Sequence, residues 1–505
     1  MVSLNVPPVW TDHVHSWLKP LHLAFVPGPA TPLLEYASDQ LLEAFRKLGH
    51  TVQEKPDSQS DLVVTTAPFA HPLNWREALI FNLRPRYHVR HTPMLLTLIH
   101  ARPEEFQNLM DHFDQALKRQ PPRQEDFLFE GLSADSPALL IEQSLRGGPI
   151  LALERVLQAQ SKSIRIILFV GEDRPDFAHL FDLVGSYPRC EPKEESAFYL
   201  DLALRLNTVA STEEITHHQV TGEPLSLDQW KKLETPAAML TNASELDRRH
   251  FFTSTIVINR LVNVPAVGDV VADQYSEGCF ATWEPRISAL IATVTGSARP
   301  VDKGKITDND LAIITGVRED GSGALVRHVA GRHNDPPSSE AVELMQMDKP
   351  LPRVTVAVDG KEYSVPVVRS KLHGHRGVTA YHPGFVEFVP LDPPYYHYPV
   401  SCATQAQAEA ILHAFSRSLC LQNPSDPRQV AFTVLPGHGL VMVEKWQAGK
   451  APFQLLWEYM DAGYLQIDPY VPQGVFAFEP GSDGRSYLKE ANPSGVTTHP
   501  PAHHH

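Results

Sequence analysis

Cysteine is scarce in this chain: four in 505 residues, at Cys190, Cys279, Cys402 and Cys420, with no CxxC pair. That spacing excludes a disulfide framework and a zinc ribbon, and it fits a reducing compartment. No stretch approaches the roughly 20 apolar residues that a membrane helix needs. The opening MVSLNVPPVWTDHVHSW lacks the basic start and apolar run of a signal peptide. A cytoplasmic protein is expected. Positive charge is also in deficit, with 44 Lys and Arg against 59 Asp and Glu, a net −15. No Lys/Arg run stands out, so neither nucleic acid nor an anionic membrane is an expected partner.

Nucleotide and hydrolase signatures are missing too. Pro27-Gly28-Pro29 follows the first apolar run, placing prolines where amides would have to face a phosphate, and there is no GxGxxG or GxxxxGK[ST]. Gly171-Glu172-Asp173, after a later strand, carries two acids that would repel phosphate. No Gly-x-Ser-x-Gly occurs and no Ser-His-Asp order can be read.

What remains is an ordinary globular composition, 42% hydrophobic and 20% charged, long enough for two to four domains. Leu21–Val26, Asp61–Thr66 and Met94–Ile99 read as buried strands. Pro32–Leu48 carries a helical stripe ending at Gly49. Their alternation predicts an open, mainly parallel α/β domain over 1–160.

A second α/β domain is expected over 161–345. It starts from the strand Ile164–Val170 and continues with helices at Pro175–Val184 and Glu195–Leu206. The strand Thr255–Val262, a helix at Ala281–Thr295 and a closing strand at Leu325–Val329 complete it. Past Pro350 the texture changes. Arg353–Val358 and Glu362–Val368 alternate around Asp359-Gly360 as a hairpin would. Ala406–Leu421 is an amphipathic helix, and Val430–Leu435 and Leu440–Val443 are strands flanking Pro436-Gly437-His438-Gly439. The fold class expected is two Rossmann-like open parallel-sheet domains followed by a β-rich C-terminal domain, 346–505, with a disordered or tagged tail. The final His503-His504-His505 reads as a tag remnant and is set aside.

Three residues carry the chemical reading. Glu277 sits at an expected strand end, and the following helix of about 15 residues at ~1.5 Å each would run back across the sheet. The returning segment carries Asp302. In a parallel sheet both strand ends reach one edge, where ligands bind. The bland alternative makes Glu277 a helix cap and leaves Asp302 in solvent. His397 lies in the stiff aromatic loop Pro393-Pro394-Tyr395-Tyr396-His397-Tyr398-Pro399, which can fix an imidazole and limit water or merely stack it among tyrosines. His373-Gly374-His375 offers another metal pair but has no carboxylate near it in sequence. His217-His218 and His328 are ambiguous. Cys279 reads as packing, because adjacent acids would raise its pKa.

Taken together, Tyr275-Ser276-Glu277-Gly278, Ala298-Arg299-Pro300-Val301-Asp302 and Tyr396-His397-Tyr398 ahead of the helix from Gln405 resemble the L-fucose/L-arabinose isomerase superfamily. The likeness spans about 250–425 and is only architectural before that. Tyrosines flank His397 where the fucose isomerases carry Asn and Gly, and the extension after about Asn423 has no counterpart. The resemblance implies a metal-dependent aldose–ketose isomerase working through an enediol. Glu277, Asp302 and His397 would be its metal ligands, Glu277 and Asp302 would share proton transfer, and Mn²⁺ would be the cofactor. It also implies a small sugar substrate and a homo-oligomer with the site near a subunit interface. Two competing readings are a noncatalytic sugar-binding relative and a two-domain glycosyltransferase.

Overall fold

In the computed structural model the described residues are 18–67 except 58, then 69, 94–119, 164–182, 185–190, 195–211, 215, 217–249, 251–252, 254–262, 269–276, 278–295, 303–393, 395, 400, 403–436, 438–468, 475–491 and 496–497. They form a mixed α/β structure with parallel pairing at its N-terminal end and a strand-rich C-terminal region.

The first sheet holds β1 (His22–Val26), β2 (Thr51–Gln53), β3 (Leu62–Ala67), β4 (Met94–Ala101), β5 (Ile164–Gly171), β6 (Pro175–Asp182), β7 (Gly185–Cys190) and the C-terminal β25 (Val496–Thr497), in the order β2-β1-β3-β4-β5-β6-β7-β25. Its first five strands run parallel. Apolar residues of the helix Pro32–Lys47, among them Leu34, Leu41 and Phe45, share its core with Phe198, Leu202 and Leu206 of the helix Glu195–Ser211. The helix matches the stripe expected from Pro32, and Thr31 starts it by accepting the Leu34 N–H, with a proline in the first turn.

Two expectations fail along this stretch. β5 pairs with β4 and extends the first sheet instead of opening a second one. Pro175–Val184 is not a helix: Pro175–Asp182 is β6, antiparallel to β5. The cause is local. A Cβ on Gly171 would lie 2.0 Å from the Arg174 carbonyl oxygen, so this glycine permits a turn tight enough to fold the chain back as a hairpin. Phe177, Leu180 and Phe181 also satisfy a helical spacing, which made the segment ambiguous.

A nine-stranded sheet forms the centre of the remainder. Its members in chain order are β8 (Gln219–Val220), β11 (Cys279–Glu284), β12 (Ala289–Thr293), β13 (Leu311–Val317), β14 (Ala324–Arg327), β17 (Val368–Gly374), β19 (Val386–Phe388), β20 (Val430–Leu435) and β21 (Gly439–Lys445). They lie side by side as β19-β20-β21-β17-β11-β12-β13-β14-β8. All neighbouring pairs are antiparallel except the two at the edges, β19–β20 and β14–β8. Helical layers cover both faces. Ala341 and Leu344 of the helix Ser339–Gln346, with Ile411 and Phe415 of the helix Gln405–Ser416, pack on one side. Met239 and Leu246 of the helix Glu234–Arg248, with Leu456 of the helix Gln454–Asp461, pack on the other.

Here the expected helix Ala281–Thr295 is replaced by the hairpin β11–β12, turned by the 3₁₀ segment Pro285–Ile287 and a left-handed Ser288 at φ 48°. Pro285 would break a helix interior. Every residue of both strands is buried, so apolar positions crowd both faces and match helical and strand periods alike. The parallel strand–helix–strand unit that joined Glu277 to Asp302 is therefore absent.

Other expectations hold. β15 (Arg353–Val358) and β16 (Lys361–Pro366) pair across Asp359 and Gly360, both at positive φ, as a two-residue hairpin turn demands. The helix anticipated from 406 to 421 stops at Ser416. A short turn of helix, Leu419–Gln422, restarts on the Ser418 cap. A hairpin of β9 (Ser254–Val262) with β10 (Asp269–Ser276) is separate from the large sheet, as is a four-stranded sheet of β18 (Gly377–Tyr381), β22 (Leu465–Asp468), β23 (Val475–Pro480) and β24 (Ser486–Ala491).

One buried carboxyl ties a helix to this sheet. Glu444 on β21 accepts the backbone N–H of Phe453 at 2.5 Å and of Leu456 at 3.4 Å, capping the helix Gln454–Asp461 from outside its own segment. Burial pushes its pKa up to about 7, against the hydrogen bonds from Ser370 and Phe453. A carboxyl raised above its unfolded value binds more protons when folded, so stability declines as pH rises from about 4.5 to about 7. The span is worth about 3 kcal/mol. Glu444→Gln should remove that slope, measured as a smaller loss of urea-unfolding free energy between pH 5 and pH 8 than the natural chain shows.

Candidate metal centre

β17 ends at Gly374, and β20 and β21 form a hairpin whose tip carries His438. β21 pairs with β17 so that His373 faces Val441 and Gly374 faces Leu440. The hairpin tip therefore reaches just past the end of β17, beside His375. The strand neighbours of His373 also fix which way it points. Leu372 belongs to the core on one face, while Lys371 and His373 face the helix Ser339–Gln346. Glu340 stands in the first turn of that helix, where the N-terminal dipole favours a carboxylate.

The result is a cluster of Glu340, His373, His375 and His438 whose candidate ligand atoms all lie within 4.8 Å of one another. The imidazole centroids are 5.5 Å apart for His373–His375, 4.9 Å for His373–His438 and 4.7 Å for His375–His438. Nε2 of His438 lies 3.1 Å from Nε2 of His375. Two nitrogens each about 2.1 Å from one ion, at tetrahedral or octahedral angles, stand about 3.0–3.4 Å apart. Nε2 of His373 contacts the Glu340 carboxylate, and its Nδ1–H donates to the Leu440 carbonyl at 2.9 Å. That bond commits Nδ1 as the donor, so Nε2 is the nitrogen that would face a bound ion.

The histidines are buried, at 1, 6 and 3% exposure for His373, His375 and His438. Burial alone would raise the Glu340 carboxyl, yet His373, His438 and His375 hold it well below the usual carboxylate range. Its neighbour one helical turn on, Glu343, goes the other way. Burial, then the charge of Glu340, push it well above that range. One partly exposed anion and three buried imidazoles thus meet in one site. The donor set fits a first-row divalent ion, since imidazole suits Zn, Fe, Ni and Cu, and the absence of thiolate argues against the usual structural zinc sites.

Glu277, Asp302 and His397 all lie outside the described residues. Cys279, two positions from Glu277, is the cross-strand partner of His373, and it is a buried free thiol. Burial, then Glu340, drive its pKa well above normal, in keeping with a packing role. His217 and His328 are not in the cluster. The His373-Gly374-His375 pair, discounted for want of a carboxylate, meets one 33 positions upstream. The sequence pattern singles out neither Glu340 nor His438 as a ligand. The one available signal was His438 itself, a histidine between two glycines in a turn. Gln407 and His438 also line a narrow cleft otherwise walled by Leu391, Tyr395, Val400, Ala410, Leu435 and Pro436.

Comparison with protein-family models, with curated proteins and with solved structures finds no match for this chain.

Close backbone approach makes the cluster possible. A Cβ on Gly439 would sit 2.0 Å from the Gly374 carbonyl oxygen, so the hairpin tip and the end of β17 can meet only without a side chain there. Gly439→Ala should cost about 2 kcal/mol or more by forcing the two apart. The same change should weaken binding of a divalent ion at least tenfold. A thermal scan of the ion-free protein and calorimetric titration with Zn²⁺ read the two effects separately.

Proposed function

We propose that this chain is a metal-dependent enzyme that holds a first-row divalent ion on Glu340, His373, His375 and His438. The convergence of one carboxylate and three buried imidazoles carries this reading. When bound, such an ion acidifies water, polarises a carbonyl or steadies an enediolate. The chain's own contribution is to hold three imidazoles in place, exclude bulk water and set one fixed negative charge beside them. Among the described residues no helix is long and apolar enough to cross a membrane.

Imidazole-rich ligation favours Zn²⁺ or Fe²⁺ over the Mn²⁺ that a carboxylate-rich set would select. Elemental analysis of protein purified without chelator should find close to one equivalent of such an ion. Chelation should lower Tm and re-addition should restore it, because an ion at a thousand times its Kd stabilises by about 4 kcal/mol. Protein that neither retains an ion nor gains stability from any of Zn²⁺, Fe²⁺, Co²⁺ or Mn²⁺ would sink this reading.

Within it, aldose–ketose isomerisation through an enediol is the more specific proposal. The observation in its favour is the meeting of one carboxylate with three imidazoles, since an ion held there would stabilise the charge of an enediolate. Solvent-deuterium uptake by a panel of aldoses tests it. His438→Ala should abolish uptake if the reaction uses the three-histidine centre. Glu277→Gln abolishing it while His438→Ala does not would instead place the chemistry on the Glu277, Asp302 and His397 set. No uptake from any aldose, in protein that binds an ion, would leave the metalloenzyme reading standing and remove the isomerase one.

A further inference from the structure

We infer that Gln407 is a positioning residue of the metal centre: it holds His438 in the tautomer that turns Nε2 toward the other ligands, and Glu343 holds Gln407. This rests on the metal reading and goes beyond it, since neither residue belongs to the ligand cluster.

Imidazole binds an ion through a nitrogen that carries no proton, so a ligating histidine needs an acceptor for the N–H on its other nitrogen. For His373 the Leu440 carbonyl serves. His438 sits at a hairpin tip, and the group that faces its Nδ1 is the side-chain oxygen of Gln407, at 3.2 Å. An amide can present either its oxygen or its NH₂, and the wrong choice would turn a donor toward Nδ1 and drive the proton to Nε2.

Glu343 decides between them. Its Oε2 lies 3.2 Å from Gln407 Nε2 and accepts that N–H. The backbone at Thr404 and Ala403 also favours the charged form of Glu343, and even as a neutral acid Glu343 keeps a carbonyl oxygen that accepts the Gln407 N–H. With the NH₂ end committed to Glu343, the oxygen end must face His438. All three side chains are at most 3% exposed, so water is a poor substitute at any point in this line. The backbone supports it too. Thr404 caps the helix Gln405–Ser416 by accepting the Gln407 N–H, which fixes where that side chain starts.

Cobalt(II) is the probe, because its visible absorption reports the number and geometry of its ligands. Gln407→Met keeps length and burial but removes the acceptor. It should bind Co²⁺ about 10- to 100-fold more weakly and shift the visible spectrum. Exchanging the pair, with Glu343→Gln and Gln407→Glu together, keeps one acceptor toward His438 and one donor toward position 407. It should recover most of the affinity and the natural spectrum.

A purely structural role predicts a lower Tm with Kd and spectrum unchanged, and that result overturns the inference. So does an exchanged pair that folds but binds as weakly as Gln407→Met. If Gln407→Met does not fold, the exchanged pair alone decides by the same criterion, and its failure to fold as well would count against a role confined to positioning. Wild-type protein that takes up no Co²⁺ would defeat the metal reading itself, which separates that failure from this one.

Discussion

The candidate centre depends on one backbone contact, the approach of the β20–β21 hairpin tip to the end of β17 at Gly439 and Gly374. Everything near it is arranged by strand register. Pairing His373 with Val441 and Gly374 with Leu440 leaves the tip to project past the last rung, so His438 comes beside His375 although 63 residues separate them. On the far side Gly374 is equally constrained. A Cβ there would lie 2.5 Å from the Phe251 ring, whose residue also accepts the Arg376 guanidinium on its backbone carbonyl at 2.9 Å. His373 and His375 are thus carried on backbone pressed from two directions, which suits ligands that must hold still.

The helix Ser339–Gln346 is pinned to the same strand at two points two residues apart on one face. Glu340 meets His373 at its start. Beyond its end Asp348 meets Lys371 at 2.6 Å, and the Lys371 ammonium also donates to the Leu344 carbonyl. Burial lowers the pKa of Lys371 and raises that of Asp348, with each partner opposing the shift of the other. Such a pair contributes little net stability against an apolar substitute, but losing one partner is costly. Its consequence is geometric: sliding the helix along β17 would break both pins, so Glu340 is fixed in register with the histidines.

Much of the fold was legible because it is local. β1, β3, β4 and β5 are short apolar runs, the Asp359-Gly360 hairpin follows from turn chemistry, and the helix Pro32–Lys47 follows from its apolar stripe and the glycine after it. Segments buried on both faces were not legible. Cys279–Glu284 and Ala289–Thr293 are buried throughout and mostly apolar on both faces, so period does not separate helix from strand there, and Pro285 is the one local sign against a helix. The site suffered from the same error one level up. With a helix placed between residues 281 and 295, a parallel sheet edge was the natural meeting place for distant acids. In an antiparallel sheet, ligands come instead from a strand end, a hairpin tip and a covering helix. His373 and His375 were visible as a pair, but Glu340 reads as an ordinary acidic residue in a first helical turn, and only the register of β17 with β21 brings His438 near.

The two glutamates on that covering helix show how one element divides labour by position. Glu340 and Glu343 stand one turn apart, the first partly and the second fully buried, yet the first is held as an anion by three imidazoles while the second is driven toward the neutral acid. The difference lies in what faces each. Glu340 points at rings that can carry positive charge, whereas at Glu343 burial and then repulsion from Glu340 outweigh the opposing hydrogen bond from Gln407. Two adjacent anions would spend part of an ion's charge on relieving their mutual repulsion, and one anion with a neutral neighbour leaves that charge for a substrate. A dication held by this set would keep a net positive charge in an imidazole-lined site, the condition for stabilising negative charge that develops on an oxygen.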